Sequence, residues 1–168
     1  MRTLLLLRHA KARTDDVGGD AARPLAPRGT RAAARMGEHL AERGWVPDLV
    51  LCSTARRARE TWEHASAALH PAPRVALDAA LYLASPERIL ARVRLVDRAV
   101  ATLLVVGHNP GFHELACDLA ESGAARDRIG KFPTAALARF ELADGAWSEA
   151  GPGALRFAEL VAPRELDS

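Results

Sequence analysis

Residues 2–12 read RTLLLLRHAKA. Four consecutive leucines, Leu4 to Leu7, leave no polar side chain to face water, so the run predicts a strand over 2–7 buried on both faces. A strand of that kind belongs to a mostly parallel sheet with helices above and below it. Where the apolar run ends, Arg8, His9 and Lys11 follow at once.

Working outward, residues 12–26 are polar, with Asp15, Asp16, Gly18, Gly19 and Pro24, and predict a long loop. A loop of that length in a compact domain is often functional. Pro27 opens a helix at its first turn, Ala32, Met36 and Leu40 recur at helical spacing, and Gly44 stops it. Residues 48–52 predict a second strand, and Ser53 caps a helix over about 54–69, ended by Pro71. Residues 74–77 predict a short strand or extended segment. Ser85 and Pro86 open a helix with Ile89, Leu90 and Val93 on its apolar face. Residues 101–106 (ATLLVV) predict another strand, and Pro110 begins a helix reaching about Ser122. Residues 135–142 and 155–161 alternate like strands, and the Gly- and Asp-rich gap between them suits a hairpin. The alternation predicts an α/β fold with three layers, α/β/α, around a mostly parallel central sheet.

The chain has 168 residues, which fits one domain over 1–168. Hydrophobic residues make up 49% and charged residues 26%, so a core forms without disulfides or metal. A formal charge of +2 excludes a polyanion-coating protein and an acidic disordered tail. Lys11 and Lys131 are the sole lysines, so arginine is the default cation, and one arginine alone says little. Cys52 and Cys117 sit in apolar runs without CxxC spacing, which predicts buried free thiols. The first apolar run is too short for a signal peptide, and no stretch approaches the roughly 18 apolar residues of a membrane span. The reading is a reduced, cytoplasmic protein that engages neither membrane nor nucleic acid. Trp45, Trp62 and Trp147 are too scattered for a base-stacking platform and read as core or sheet cover.

Three strand ends carry chemistry. Arg8-His9-Ala10-Lys11 follows the first, Ser53 to Thr61 (STARRARET) the second, and Gly107-His108-Asn109-Pro110-Gly111 the fourth. In a parallel sheet the carboxyl ends of the strands share one edge, and ligands bind there. Two histidines and at least two arginines then converge from distant parts of the chain.

Together, LLLLRHAKA, STARRARET and VVGHNPG resemble the three motifs of the histidine phosphatase superfamily, whose fold is phosphoglycerate mutase-like. Arg23-Pro24-Leu25 and Phe132-Pro133-Thr134 are similar to its short, SixA-like branch of phosphohistidine phosphatases. The resemblance implies a catalytic set of His9, Arg8, Arg57 and His108, with His9 as nucleophile. Arg8 and Arg57 double as phosphate-binding groups. Arg57 is preferred to Arg56 and Arg59 because Arg57-Ala58 and Thr61 match the motif's spacing. The resemblance implies no metal and no cofactor. Ala10 departs from the glycine of many relatives, and its methyl is expected to narrow the backbone's approach to phosphate. Larger relatives also supply a glutamate as acid; here Asp15, Asp16, Asp78 and Glu87 are the candidates, none well placed.

The chemistry agrees with these residue types. Phosphoryl transfer needs positioning and neutralisation of charge on the equatorial oxygens. Arginine's planar fork binds such oxygens bidentately and stays charged. A neutral imidazole attacks phosphorus in line and splits one hard hydrolysis into two transfers. His108 is expected to be protonated beside the dianion, which raises its pKa.

Each residue also has a plainer reading. His9 and His108, taken singly, are ordinary histidines at strand ends. His39, His64, His70 and His113 read as surface or satisfied histidines. Lys11 and Arg23 either line the pocket mouth as substrate-binding groups or solvate a loop. For function, three classes stand: a phosphatase acting on phosphohistidine of a signalling or phosphotransfer protein; the same chemistry on a small phosphate ester, such as a sugar or nucleotide phosphate; and a non-catalytic module that binds phosphorylated partners. The short chain, without a lid, favours the first.

Overall fold

The structure is a computed structural model and describes residues 1–14 and 18–167. Six strands form one sheet: β1 (Arg2–Arg8), β2 (Leu49–Ser53), β3 (Arg74–Asp78), β4 (Thr102–Gly107), β5 (Leu137–Leu142) and β6 (Leu155–Val161). Their order is β3-β2-β4-β1-β5-β6. Strands β1 to β4 are parallel, whereas β5 runs antiparallel to both β1 and β6. The sheet is thus mixed but mostly parallel, and β5 and β6 form the expected antiparallel pair.

The leucine run explains where β1 sits. Leu4 and Leu6 point into the larger core, and Leu5 and Leu7 into a second core on the opposite face. All four are fully buried, each contributing about 1.5–3 kcal/mol. Only a central strand with both faces covered permits this. Strand β4 alternates in the same way, Leu103 and Val105 on one side, Leu104 and Val106 on the other.

Helices α1 (Pro27–Arg43) and α2 (Arg56–Ser66) cover one face. Helices α3 (Pro86–Val93), α4 (Gly111–Leu119) and α5 (Gly123–Ile129) cover the other. A short α6 (Pro163–Leu166) packs on α1. Helix α1 ends at Gly44, whose φ of 68° is left-handed and comfortable only for glycine. Trp62 and Trp147 are core residues, and Trp147 Nε1 donates to the Val100 carbonyl at 2.8 Å. No helix among the described residues is long and apolar enough to cross a membrane.

Three local expectations need correction. The helix beginning near Pro110 stops at Leu119, and the Ser122 hydroxyl caps a separate α5 by accepting from the Ala125 N–H at 3.1 Å. Ser53 is the last residue of β2 and does not cap α2, whose first turn starts from Ala55. Cys52 is buried, but Cys117 is partly exposed.

Candidate active site

The strand order is what gathers the site. Strands β2, β4 and β1 are immediate neighbours and parallel, so their carboxyl ends lie side by side. The residues just beyond them are Arg8–His9, the start of α2, and His108. The ring centroids of His9 and His108 are 5.2 Å apart, and Arg57 Nε donates to His9 Nε2 at 3.3 Å. Arg8, His9, Arg57 and His108 line one cavity of about 310 Å³, with Lys11 and Arg23 on its wall. All six residues expected from the sequence therefore surround the same space.

The tautomer of His9 follows from its neighbours. Nδ1 lies 2.8 Å from the Ala10 carbonyl oxygen, which can only accept, so Nδ1 carries the proton. Nε2 then presents its lone pair on the side of Arg57. Burial, followed by the positive charges of Arg57, Arg8 and Arg23, pushes the His9 pKa down to about 4, although the Ala10 bond pulls upward. His9 is neutral at pH 7. His108 is pushed down to about 3, chiefly by burial, then by His9 and Arg57. Protein groups alone therefore favour a neutral His108, and the protonated form expected from the sequence requires the opposing charge of a dianion.

Residues outside the expected set hold these side chains in place. Thr61 Oγ1 accepts from the Ala10 N–H at 2.8 Å and donates to the Arg57 carbonyl at 2.7 Å, tying the loop after β1 to α2. Ser53 Oγ sits 2.7 Å from His108 Nε2. Arg8 Nη1 donates to the Phe132 carbonyl at 3.0 Å, and the Asn109 amide donates to the same oxygen at 3.1 Å. The Ala135 N–H reaches the carbonyls of both Arg8 and His9 at 3.1 Å. Phe132 and Ala135 have φ of 54° and 60°, the left-handed region that costs a residue with a Cβ on the order of 1 kcal/mol. Leu83, with φ of 47°, lines the same cavity. These three are the chain's non-glycine left-handed residues among those described, and all border the site.

The sequence reading missed Asp20. Its backbone carbonyl accepts from Arg57 Nη1 at 2.8 Å, and its Oδ2 pairs with Arg57 Nη2 at 3.0 Å. Tyr82 donates its hydroxyl to the same Oδ2, and Arg23 Nε pairs with Oδ1 at 3.1 Å. The Tyr82 hydrogen bond, then Arg57 and Arg23, hold the Asp20 carboxyl at about 2. A signal existed, because Asp20 lies three residues before Arg23-Pro24-Leu25, but nothing in an isolated loop says which carboxylate turns inward. Of the expected acids, Asp78 is bound to Arg92 at 2.6 Å, and Glu87 lines a different groove. Asp15 and Asp16 lie outside the described residues. Ala10 corrects another expectation: it is fully buried beside Leu25, Ala33 and Ala135 and is not on the cavity wall. Among the described residues no three of His, Cys, Asp and Glu are grouped to hold a metal ion.

The arrangement offers a neutral imidazole, two guanidinium groups and a second imidazole around one small open cavity, which suits a tetrahedral dianion. Known proteins resemble the chain in sequence and in fold. A sequence profile of the histidine phosphatase superfamily (branch 1) matches residues 4–82. An uncharacterised protein of Mycobacterium tuberculosis is 39% identical over 165 residues, spanning 94% of this chain and 100% of that one. The structure of a candidate phosphohistidine phosphatase SixA from Nakamurella multipartitia superposes with a TM-score of 0.83 at 33% identity, covering 96% of each chain. A protein histidine phosphatase SixA complexed with tungstate superposes with a TM-score of 0.82 at 24% identity, covering 98% of this chain and 99% of that one. With its sheet order, its paired histidines and these relatives taken together, the chain belongs to the histidine phosphatase superfamily, branch 1.

Proposed function

We propose that the protein is a phosphohydrolase that works through a phosphoryl group on His9, with phosphohistidine of a partner protein as its substrate. The observation that carries this reading is the state of His9: Nδ1–H is fixed on the Ala10 carbonyl, and the unprotonated Nε2 faces Arg57. In the first step Nε2 bonds to phosphorus as the phosphorus–nitrogen bond of the substrate breaks. In the second, water attacks the same phosphorus, its proton leaves to solvent, and the His9 lone pair is restored. Arg8 and Arg57 neutralise the equatorial oxygens. His108 has Nε2 on Ser53 and a buried Nδ1 with no partner among the described residues, and once the dianion has raised its pKa its protonated ring balances the phosphoryl charge.

The leaving group decides between protein phosphohistidine and a phosphate ester. An alkoxide needs a proton as it departs, and an acid in its protonated form must supply it. The carboxyl group that reaches the cavity among the described residues is Asp20, held ionised by Tyr82 and Arg57. An imidazole protonated on its second nitrogen leaves neutral and needs no such donor. The SixA-type relatives favour the same substrate class.

The test is a phosphatase panel of phosphohistidine proteins and small esters, followed by trapping. Wild type is expected to prefer phosphohistidine and to yield an acid-labile, base-stable adduct on His9. His9→Ala is expected to abolish both turnover and adduct. Arg57→Ala and His108→Ala are each expected to slow turnover about 10²–10³-fold, and EDTA to change nothing. Turnover of small esters alone would reverse the substrate assignment, and a His9→Ala variant at near wild-type rate would remove the mechanism.

A further inference from the structure

The phosphate cavity adjoins a second one. Lys11 and Thr134 line both, and the second, of about 390 Å³, adds Arg28 and Arg164 above an apolar floor that includes Ala32 and Pro133. A third groove of about 510 Å³ shares Arg28, Ala32 and Pro163 with it and runs past Arg31 to Arg35. Seven residues of α1 separate Arg28 from Arg35, or ~10 Å along the helix at 1.5 Å per residue. A basic trough thus leads away from His9 over the outer face of α1.

Charge in this trough is uneven. Lys11, Arg28, Arg31 and Arg164 are exposed and take no part in the ion pairs of the described residues. Arg35, at the far end, pairs with Glu38, Glu42 and Asp167. Among the described residues no carboxylate lines the middle cavity. Some exposed arginines elsewhere are paired, as Arg56 is with Glu60 and Arg43 with Glu159, and others, such as Arg74, Arg88 and Arg156, are in no ion pair of the described residues; in the trough, three unpaired cations line one cavity. Lys11, Arg28 and Arg164 thus converge on one cavity beside the phosphate cavity, where their charge attracts anions and speeds their encounter.

The trough is also fixed in register with His9. A Cβ on Gly29 would come 2.1 Å from the Lys11 carbonyl oxygen, so the loop after β1 lies directly on the first turn of α1. The Ala26 N–H donates to that oxygen at 2.9 Å. The Arg28 backbone therefore cannot drift from the cavity that holds the phosphoryl group.

We propose that this trough is the docking surface for the phosphoprotein, and that acidic side chains flanking its phosphorylated residue seat against Lys11, Arg28 and Arg164. The proposal rests on the phosphohistidine reading above. A protein is favoured over a small molecule with a second phosphate because the surface runs on past the middle cavity, over the unpaired Arg31 and along about two turns of α1, farther than a small anion reaches. The apolar floor between the cations suits side chains of a folded surface.

The test uses the full chain and three probes: free phosphohistidine, and two synthetic phosphohistidine peptides in which the residue is flanked by glutamates or by glutamines. Wild type is expected to turn over the glutamate peptide with a kcat/KM about tenfold above the glutamine peptide at low salt. The gap should close at about 0.5 M salt, where screening acts over roughly 4 Å. It should also close in the Arg28→Glu/Arg164→Glu variant, while turnover of free phosphohistidine stays within about twofold of wild type, which doubles as the control for folding. Equal rates on the two peptides, or a gap that survives in the variant, would overturn the docking surface and leave the functional reading intact. Failure of wild type to turn over free phosphohistidine would overturn the functional reading, and the docking proposal with it. A higher kcat/KM on a sugar bisphosphate than on either peptide would assign the trough to a small anion and overturn docking.

Discussion

Arg57 is nearly fully buried, yet three of its nitrogens are already engaged: Nε on His9, and both Nη groups on Asp20. A phosphoryl oxygen arriving at the fork meets a carboxylate of the same sign. Asp20 is ionised across the working pH range, because its pKa is held at about 2. Replacing it with the near-isosteric asparagine keeps a hydrogen-bonding oxygen for Arg57 and removes the competing charge. Asp20→Asn is expected to tighten inhibition by vanadate several-fold, measured as an inhibition constant against a small substrate. Weaker vanadate inhibition would mean that the carboxylate chiefly holds Arg57 in position. Residue identity was legible where a strand end announced it: His9, Arg57 and His108 each follow an apolar run within a few residues. Asp20 and Tyr82 were not, since their importance comes from meeting each other 62 positions apart, and only tertiary structure creates that.

At the level of elements, the site depends on how α2 is fastened to the loop after β1. Beside the Arg57 bond to His9, Thr61 does this by accepting from the buried Ala10 N–H and donating to the Arg57 carbonyl one turn earlier. Valine has the same shape but no acceptor. Thr61→Val leaves the Ala10 N–H buried and unsatisfied, which costs about 1–3 kcal/mol. The expected outcome is a lower midpoint in denaturant unfolding, together with slower turnover as His9 and Arg57 lose register. Thr61→Ser should recover most of both, and a valine variant with unchanged stability would show that the Ala10 N–H finds another partner. Five of the six strands were legible because apolar runs or alternation mark them, and β3, exposed at the sheet edge, was legible only as a short extended segment. Helix α5 was not, because its seven residues carry only Ala125 and Ile129 to the core, too few to establish a period. Ser53 was misread for a related reason. A serine before a helix has the composition of a cap, but here its hydroxyl accepts from the Ala55 N–H just ahead of the first turn and also meets His108 from beyond another strand.

Taken as a whole, the fold places two neutral histidines at the junction of β1, β2 and β4, and this couples its stability to pH. In the unfolded chain both histidines titrate near 6.5, whereas in the folded protein burial lowers His9 to about 4 and His108 to about 3. Between those values the unfolded state binds more protons than the folded state, so stability increases with pH in that window. The contribution is fully present above about pH 6.5 and is lost as pH falls, for His9 by about pH 4 and for His108 by about pH 3. Thermal melts in oxyanion-free buffers are therefore expected to show the midpoint falling steadily from pH 6.5 to pH 4. Asp20 does not contribute over that range, since its own loss begins only as pH drops below the usual carboxylate value near 3.8 toward about 2. The double variant His9→Asn/His108→Gln removes both titrating rings and should flatten the slope across the window. Inorganic phosphate should raise the midpoint at pH 7, because it binds the folded state alone, and should flatten the histidine-dependent slope, because its charge raises the folded His108 pKa toward the unfolded value and narrows the window. A wild-type midpoint that is constant from pH 6.5 to pH 4 would mean that the two rings already share a proton with a partner in the folded protein. In that case neither would be the neutral group from which nucleophilic attack by His9 was derived.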